Sequence, residues 1–156
     1  MKHSIVLTAG CLAATLAIPA FADNIDDTIK ARQGYYKLVS HNAGVLFGMA
    51  KGDIPYDSET AAAHAGNLQT LSQMNASSLF PAGSSKADRP GKTRALPVIW
   101  STFPAIGEKA QAFGEATGKI AGSAGLGLDA LRADIGALGA SCKGCHETYR
   151  LSLIHI

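Results

Sequence analysis

The residues with the clearest chemical signature lie near the carboxyl end of the chain, in the run Cys142-Lys143-Gly144-Cys145-His146. This is the C-x-x-C-H pattern of covalent haem attachment. Two thiols three residues apart can add to the two vinyl groups on one edge of a porphyrin, and the adjacent imidazole can reach the iron. The motif therefore predicts one haem c per chain, held through thioethers to Cys142 and Cys145, with His146 as an axial ligand of the iron.

A redox-active dithiol and a zinc site also use a C-x-x-C pair. The dithiol motif normally opens a helix after a strand, and the sequence contains no βαβ pattern. Zinc would need two more soft ligands, whereas His41, His64 and His155 come with no second cysteine pair. Haem attachment is therefore the interpretation that the sequence favours.

The first 22 residues have the layout of a cleaved signal peptide. Lys2 and His3 give a positive start, residues 4–19 form an almost uninterrupted apolar run, and residues 20–22 offer small side chains at the two positions that a signal peptidase reads. The run is shorter than the roughly 20 apolar residues that cross a bilayer. We expect cleavage before Asp23, export to the periplasm, and no membrane span in the mature protein.

The composition narrows the class of protein. The chain has 156 residues, 14 Lys+Arg against 12 Asp+Glu, and 47% hydrophobic residues, which suits one domain. The small net charge and the lack of a basic run argue against nucleic-acid binding, and the apolar content argues against disorder. Many Ala and Gly residues, with few β-branched and aromatic residues, favour closely packed helices.

The attachment motif lies on a predicted helix that covers residues 126 to 150. Apolar and cysteine residues recur there at steps of three and four, which is typical of a helix that faces a bundle interior. These residues are Leu128, Leu131, Ile135, Leu138, Cys142, Cys145 and Tyr149. Both cysteines therefore belong to the buried stripe.

Three more helices must position this one. The first covers residues 23 to about 50. The second starts after a cap at Asp57 or Ser58 and ends near Asn75. The third covers roughly 97–122, with its start left open because Pro104, inside a helix that began at 97, would remove a helical hydrogen bond. Their candidate core residues are Ile25, Ile29, Tyr36, Val39, Ala43, Leu46, Met49 or Ala50, Ala61, Ala65, Leu68, Leu71, Gln73 or Met74, Val98, Trp100, Phe103, Ile106, Ala110, Phe113 and Ile120. With a long connection at 76–96, the chain is predicted to be an all-α, antiparallel four-helix bundle that can enclose a flat apolar ligand.

Residues 23–150 resemble the class II c-type cytochromes and, within them, the cytochrome c′ family. The resemblance rests on the segments 29–33, 49–52, 79–84, 97–101 and 139–150, the last being the most specific. It implies that Arg32 lies near the haem propionates, a solvent-facing position being the alternative. It also implies that Arg150 is a basic residue near His146, although a surface role is equally compatible with the sequence.

The resemblance also bears on the distal side of the haem, opposite His146. Low-spin relatives place a methionine in the first helix, which completes six-coordinate iron, but residues 23–48 contain none. Tyr36, four residues after Arg32, then covers the iron without binding it, and Tyr35 is the alternative if the register slips by one. Met49 lies roughly 20 Å farther along the helix. Met74 stays open as a ligand, although a core position is favoured.

The implied function is that of a periplasmic haem protein with five-coordinate, high-spin iron. Such iron binds nitric oxide or carbon monoxide, and the protein takes part in electron transfer or nitric oxide buffering, with a redox partner and a homodimer through the first two helices. The alternative is a low-spin, six-coordinate electron carrier. A peroxidase is not expected, because no distal His and Arg pair suited to peroxide cleavage is evident near Tyr36. We do not expect an enzyme, although a weak nitric oxide-handling activity is left open.

Residues 151–156 depart from the polar ending that is usual in the family. We assign this apolar run to an atypical tail, and whether it belongs to the natural sequence is left open. His155 is interpreted as an incidental tail residue and not as an iron ligand.

Overall fold

The computed structural model describes residues 25–151. Its helices are α1 (Ile25–Lys51), α2 (Ser58–Gln73), a 3-10 helix (Ala76–Leu79), the one-turn α3 (Val98–Ser101), α4 (Phe103–Ser123) and α5 (Leu128–Tyr149). Within this part of the chain the only extended pairing is one isolated bridge between Ala95 and Arg150. The predicted signal peptide and residues 152–156 of the tail lie outside the described residues.

The four long helices form a closed ring of neighbours. Both α1 and α4 pack against α2 and α5, so α1 is diagonal to α4, and α2 is diagonal to α5. The Tyr56 hydroxyl donates to the Ala124 carbonyl (2.9 Å), which places the α1–α2 and α4–α5 connections at one end of the bundle. Arg132, near the start of α5, donates to the carbonyl of Ala50, near the end of α1 (2.8 Å). Neighbouring helices are antiparallel, which confirms the predicted four-helix bundle.

The core lies between the four long helices, each of which contributes a side chain with no exposed surface. Leu46, Leu68, Ile120 and Leu131 are examples. These residues come from the apolar stripes that the three-four spacing predicts.

Three large side chains predicted for the core are exposed: Tyr36 is 44% exposed, Met74 46% and Phe103 41%. Met74 and Phe103 lie at helix ends, where a side chain has fewer neighbours. Ala110 is also exposed. The periodicity is therefore correct for the fully buried core residues and wrong at these four positions.

The helix boundaries follow local chemistry. Asp57 caps α2, because its carboxylate accepts a hydrogen bond from the Thr60 N–H (2.8 Å). The predicted third helix is divided at Thr102, and Pro104 lies in the first turn of α4, where proline does not remove a helical hydrogen bond. Gly127 precedes α5 with a φ of 138°, a backbone conformation that favours glycine.

The long connection packs onto the carboxyl end of α5. The Leu96 N–H donates to the Tyr149 carbonyl (3.0 Å), and the Leu151 N–H donates to the Arg94 carbonyl (3.0 Å). Ser84 and Ser85 are buried although the segment is polar. The connection therefore lies beside the C-x-x-C-H turn. None of the helices within residues 25–151 is both long and apolar enough to cross a membrane.

Candidate haem site

The two cysteines of the motif lie one turn apart near the carboxyl end of α5. Cys142 and Cys145 are free thiols and half-buried. Burial raises the pKa of both thiols, while the nearby ammonium group of Lys109 acts to lower the pKa of Cys145. Residues at i and i+3 share a helix face, so the two thiols have the spacing that the two vinyl groups of one porphyrin edge require.

His146 follows directly on the solvent-exposed side of the same turn. Burial of part of the ring lowers its pKa, and the positive charge of Arg94 lowers it further. Both effects favour the neutral imidazole, which is the form that binds a metal. The part of the chain that the structure describes contains no group of three or more His, Cys, Asp or Glu residues that could hold a metal ion, so His146 is not part of a protein-only centre there.

Tyr36 on α1 lies close enough to Cys145 on α5 to interact with it electrostatically. Its pKa is raised to about 12, mainly by desolvation, although the side chain is 44% exposed. The antiparallel packing explains this proximity, because α5 begins beside the end of α1 and its last turns therefore lie beside the middle of α1.

Tyr35 lies on a different side of α1. Its hydroxyl donates to the Leu71 carbonyl of α2 (3.0 Å), and its ring meets that of Tyr36 edge-on at 5.0 Å. Of the two adjacent tyrosines, one therefore packs towards α2 and the other lies beside the cysteine of α5. This register favours Tyr36 over Tyr35 as the residue of the haem site.

Arg32 lies one turn before Tyr36 and is 3% exposed. Its two terminal nitrogens donate four hydrogen bonds to the connection: to the Leu79 carbonyl, to the hydroxyl and the carbonyl of Ser84, and to the Thr93 hydroxyl, at 2.9–3.1 Å. The guanidinium also lies 4.9 Å from the centre of the Phe80 ring. The solvent-facing alternative is wrong, and the four acceptors of the guanidinium are all neutral oxygens.

Two functional candidates were missed by the sequence reasoning. Arg94, in the connection, is the positive group that lowers the pKa of His146. Arg150 is instead exposed, and its backbone pairs with that of Ala95. The positive charge of Lys109 on α4 acts to lower the pKa of Cys145. The Nζ of Lys109 lies 3.8 Å from the position that a Cβ on Gly144 would take. No periodic signal marks either residue, because both come near the motif only through tertiary packing.

The two methionines of the described chain have different surroundings. Met49 is 2% exposed and belongs to the hydrophobic core. Met74 is 46% exposed and forms the carboxyl cap of α2, the helix diagonal to α5. The side chain that α1 brings to Cys145 is thus a tyrosine.

Comparison with known proteins places this geometry in a family. The family model described as cytochrome c′ matches residues 27–150. The chain belongs to the cytochrome c′ family. Its cofactor is covalently bound haem c, as the C-x-x-C-H motif predicts.

Individual relatives agree over nearly the whole bundle. A cytochrome c′ from Cereibacter sphaeroides is 39% identical over 140 residues, which are 90% of this chain and 93% of the relative. The structure of a cytochrome c′ from Rhodobacter sphaeroides has a TM-score of 0.80 and 38% identity, covering 83% of this chain and 98% of the other. A ferrous variant of cytochrome c′ from Alcaligenes xylosoxidans with bound NO has a TM-score of 0.70 and 34% identity, covering 82% and 96%.

Proposed function

We propose that this cytochrome c′ is a periplasmic protein with five-coordinate, high-spin haem iron that binds nitric oxide and carbon monoxide. The observation that carries the proposal is the residue that α1 brings beside Cys145: Tyr36, and not a methionine. The NO-bound relative from Alcaligenes xylosoxidans supports the choice of ligand.

The haem iron supplies a coordination position for a diatomic gas and a one-electron redox couple. Around it, Cys142 and Cys145 would hold the porphyrin edge through thioethers, and His146 would bind the iron on one side. Tyr36 would cover the opposite side. A phenol is protonated at neutral pH, burial of Tyr36 raises its pKa further, and a protonated phenol is a poor iron ligand. The distal position would therefore stay open to a gas.

Arg32 would border the same site. A buried guanidinium whose four hydrogen bonds go to neutral oxygens attracts a nearby anion, since no carboxylate among these partners balances its charge. A haem propionate has the required charge. The bonds to Ser84 and Thr93 also fix the side chain, so it is not free to polarise a bound peroxide, and this supports a role in binding instead of catalysis.

The second candidate is a low-spin, six-coordinate electron carrier. It needs a sixth protein ligand, and Met74 is the methionine whose exposed thioether favours it. The two functions differ in the spin state of the iron before any gas is added.

The test is the optical and electron paramagnetic resonance spectrum of the holoprotein, ferric and ferrous, before and after nitric oxide, with Met74→Leu as the matched variant. The proposal expects high-spin, five-coordinate spectra and ready nitric oxide uptake in both proteins. Low-spin spectra in both oxidation states would contradict it. If Met74→Leu then restored the high-spin form, Met74 would be the sixth ligand.

Export is part of the proposal. Fractionation of the host cell, with sequencing of the amino terminus of the mature protein, tests it. We expect the protein in the periplasmic fraction with Asp23 as its first residue. Retention of residues 1–22 on the mature protein would contradict cleavage of the signal peptide.

We also propose a homodimer formed through α1 and α2. Leu38 on α1 is 54% exposed, and Ala31 and Gly34 are exposed on the same face, so two copies could approach closely there. A redox partner protein completes the proposed set of partners.

A further inference from the structure

Two histidines that the haem site does not use lie side by side on α1 and α2. The ring centres of His41 and His64 are 5.5 Å apart, with the ring planes at 67°. His41 is exposed and His64 is half-buried. Because α2 is diagonal to α5, the pair is separate from the C-x-x-C-H turn.

A buried asparagine determines the proton position on His64. Asn42 is 5% exposed, and its Nδ2 donates to the Leu38 carbonyl (2.8 Å). A carbonyl can only accept, so the other end of the amide must be the oxygen. That oxygen accepts from Asn67 Nδ2 (3.0 Å) and lies 2.8 Å from Nδ1 of His64. Nδ1 must therefore carry the proton, which leaves a lone pair on Nε2 of the neutral ring.

This arrangement is the one that metal-binding histidines use. A ligating imidazole typically donates its other ring N–H to an oxygen acceptor, which fixes the tautomer and orients the ring. Asn42 gives His64 this support. A metal held by one nitrogen of each ring at about 2.0–2.1 Å would lie about 3.2 Å from both ring centres, so centres 5.5 Å apart would give an angle of about 118° at the metal. Zinc sites, which are close to tetrahedral, tolerate such an angle, and the exposed His41 can rotate to direct its nitrogen there.

We propose that His41 and His64 bind one divalent transition-metal ion of the zinc and copper class on the α1–α2 face. Imidazole nitrogen suits these metals, whereas calcium and magnesium prefer several carboxylate or carbonyl oxygens. Water molecules fill the remaining coordination positions. Both histidines belong to one chain, and His41 lies one turn after Leu38, so in the proposed dimer each site would border the interface.

The experiment is an isothermal titration of the holoprotein with Zn²⁺, which is redox-inert and therefore leaves the haem iron in its oxidation state. We expect one Zn²⁺ per chain in the wild type. Each of His41→Gln and His64→Gln should weaken binding by about tenfold or more, and the double variant should abolish it, because a ligand is lost at each step. Binding should also weaken at lower pH, since protons compete for the imidazoles.

The matched control is His155→Gln, which removes a histidine outside the pair and should leave the zinc affinity unchanged. Unchanged binding in the double variant, or loss of binding in His155→Gln alone, would overturn the proposal. The haem absorption spectrum is recorded for every variant and should not change. This readout separates the metal site from the gas-binding proposal, which can fail without affecting zinc binding.

Discussion

At the scale of single residues, the proposed haem site combines side chains that lie one turn apart on two antiparallel helices. Cys142 and Cys145 have this spacing on α5, and Arg32 and Tyr36 have it on α1. Each pair therefore occupies one face of its helix, and the α1–α5 packing brings the faces together. Under the proposed assignment, changing one of these side chains or His146 should therefore change one function: attachment, axial ligation, or cover of the distal side.

The distal residue can be tested by Tyr36→Met. A thioether beside Cys145 is a good sixth ligand for haem iron, so we expect conversion to a low-spin spectrum and weaker carbon monoxide and nitric oxide binding. Tyr35→Phe, which removes only the hydroxyl bonded to the Leu71 carbonyl, should keep the wild-type spin state. Spectra of both variants and of Tyr35→Met are the measurement. A Tyr36→Met protein that stays high-spin, alongside a low-spin Tyr35→Met, would assign the cover to Tyr35.

At the scale of elements, the connection between α2 and α4 is positioned by side chains of the helices that it crosses. Arg32 of α1 binds it at Leu79, Ser84 and Thr93, and Trp100 of α3 donates to the Phe80 carbonyl (3.1 Å). Sequence periodicity predicts only that this segment is irregular. Its course beside His146 follows from these contacts.

Replacing the arginine should release the connection. In Arg32→Met the oxygens of Ser84 and Thr93 lose a charged donor in a buried place, so we expect the free energy of unfolding to fall by about 2–3 kcal/mol. Denaturant unfolding measures the loss, and hydrogen exchange should increase in residues 80–96. Lys30→Met, which removes an exposed ion pair with Asp27 on the same helix, is the control and should change neither measurement. Equal exchange in both variants would contradict the role of Arg32.

The start of α2 should depend on pH through its cap. The hydrogen bond from Thr60 lowers the pKa of Asp57, so the carboxylate stabilises the fold above the ordinary pKa range of aspartate and loses this effect as the pH falls through the lowered pKa. Asp57→Ala should therefore lower the melting temperature at pH 7, and its difference from the wild type should shrink in acid. Asp53→Ala, in the same connection, is the control. A difference that grew in acid would contradict the cap.

At the scale of the whole molecule, the bundle has one hydrophobic core, and the C-x-x-C-H turn lies near one end of it. Leu131 is fully buried and lies 11 residues before Cys142, about 16 Å along α5. Stability and haem coordination should therefore respond separately to changes at the two ends.

Leu131→Ala tests this separation. The cavity should lower the free energy of unfolding by about 2–5 kcal/mol, measured by denaturant unfolding, and leave the haem spectrum of the folded protein unchanged. Leu126→Ala, at a leucine that is 79% exposed, should have little effect on either. An altered spin state in folded Leu131→Ala would show that the two ends are coupled.

The dimer is also a property of the whole molecule. Leu38→Glu places a charge in the proposed α1–α2 interface, so sedimentation should show a shift from dimer to monomer. Leu126→Glu, at the exposed leucine before α5, is the matched control and should stay dimeric. A wild-type protein that sediments as a monomer would contradict the proposal.

Much of this protein could be predicted from the sequence by itself. The C-x-x-C-H motif establishes the cofactor because its chemistry is local, and the three-four periodicity establishes four helices because a helix repeats every 3.6 residues. The helix starts after Asp57 and after Gly127 also have local causes. So does the division of the predicted third helix at Thr102, although the sequence left the start of that helix open because of Pro104.

Only the tertiary structure decided which distant residues meet. Arg32 bonds to residues 47–61 positions away, Arg94 comes to His146, and Tyr36 lies beside Cys145. The same applies to His41 and His64, which belong to different helices. Periodicity indicates which face of a helix is apolar, but the rotation and axial register of each helix depend on how all four pack together, and this packing determines which side chains form a site.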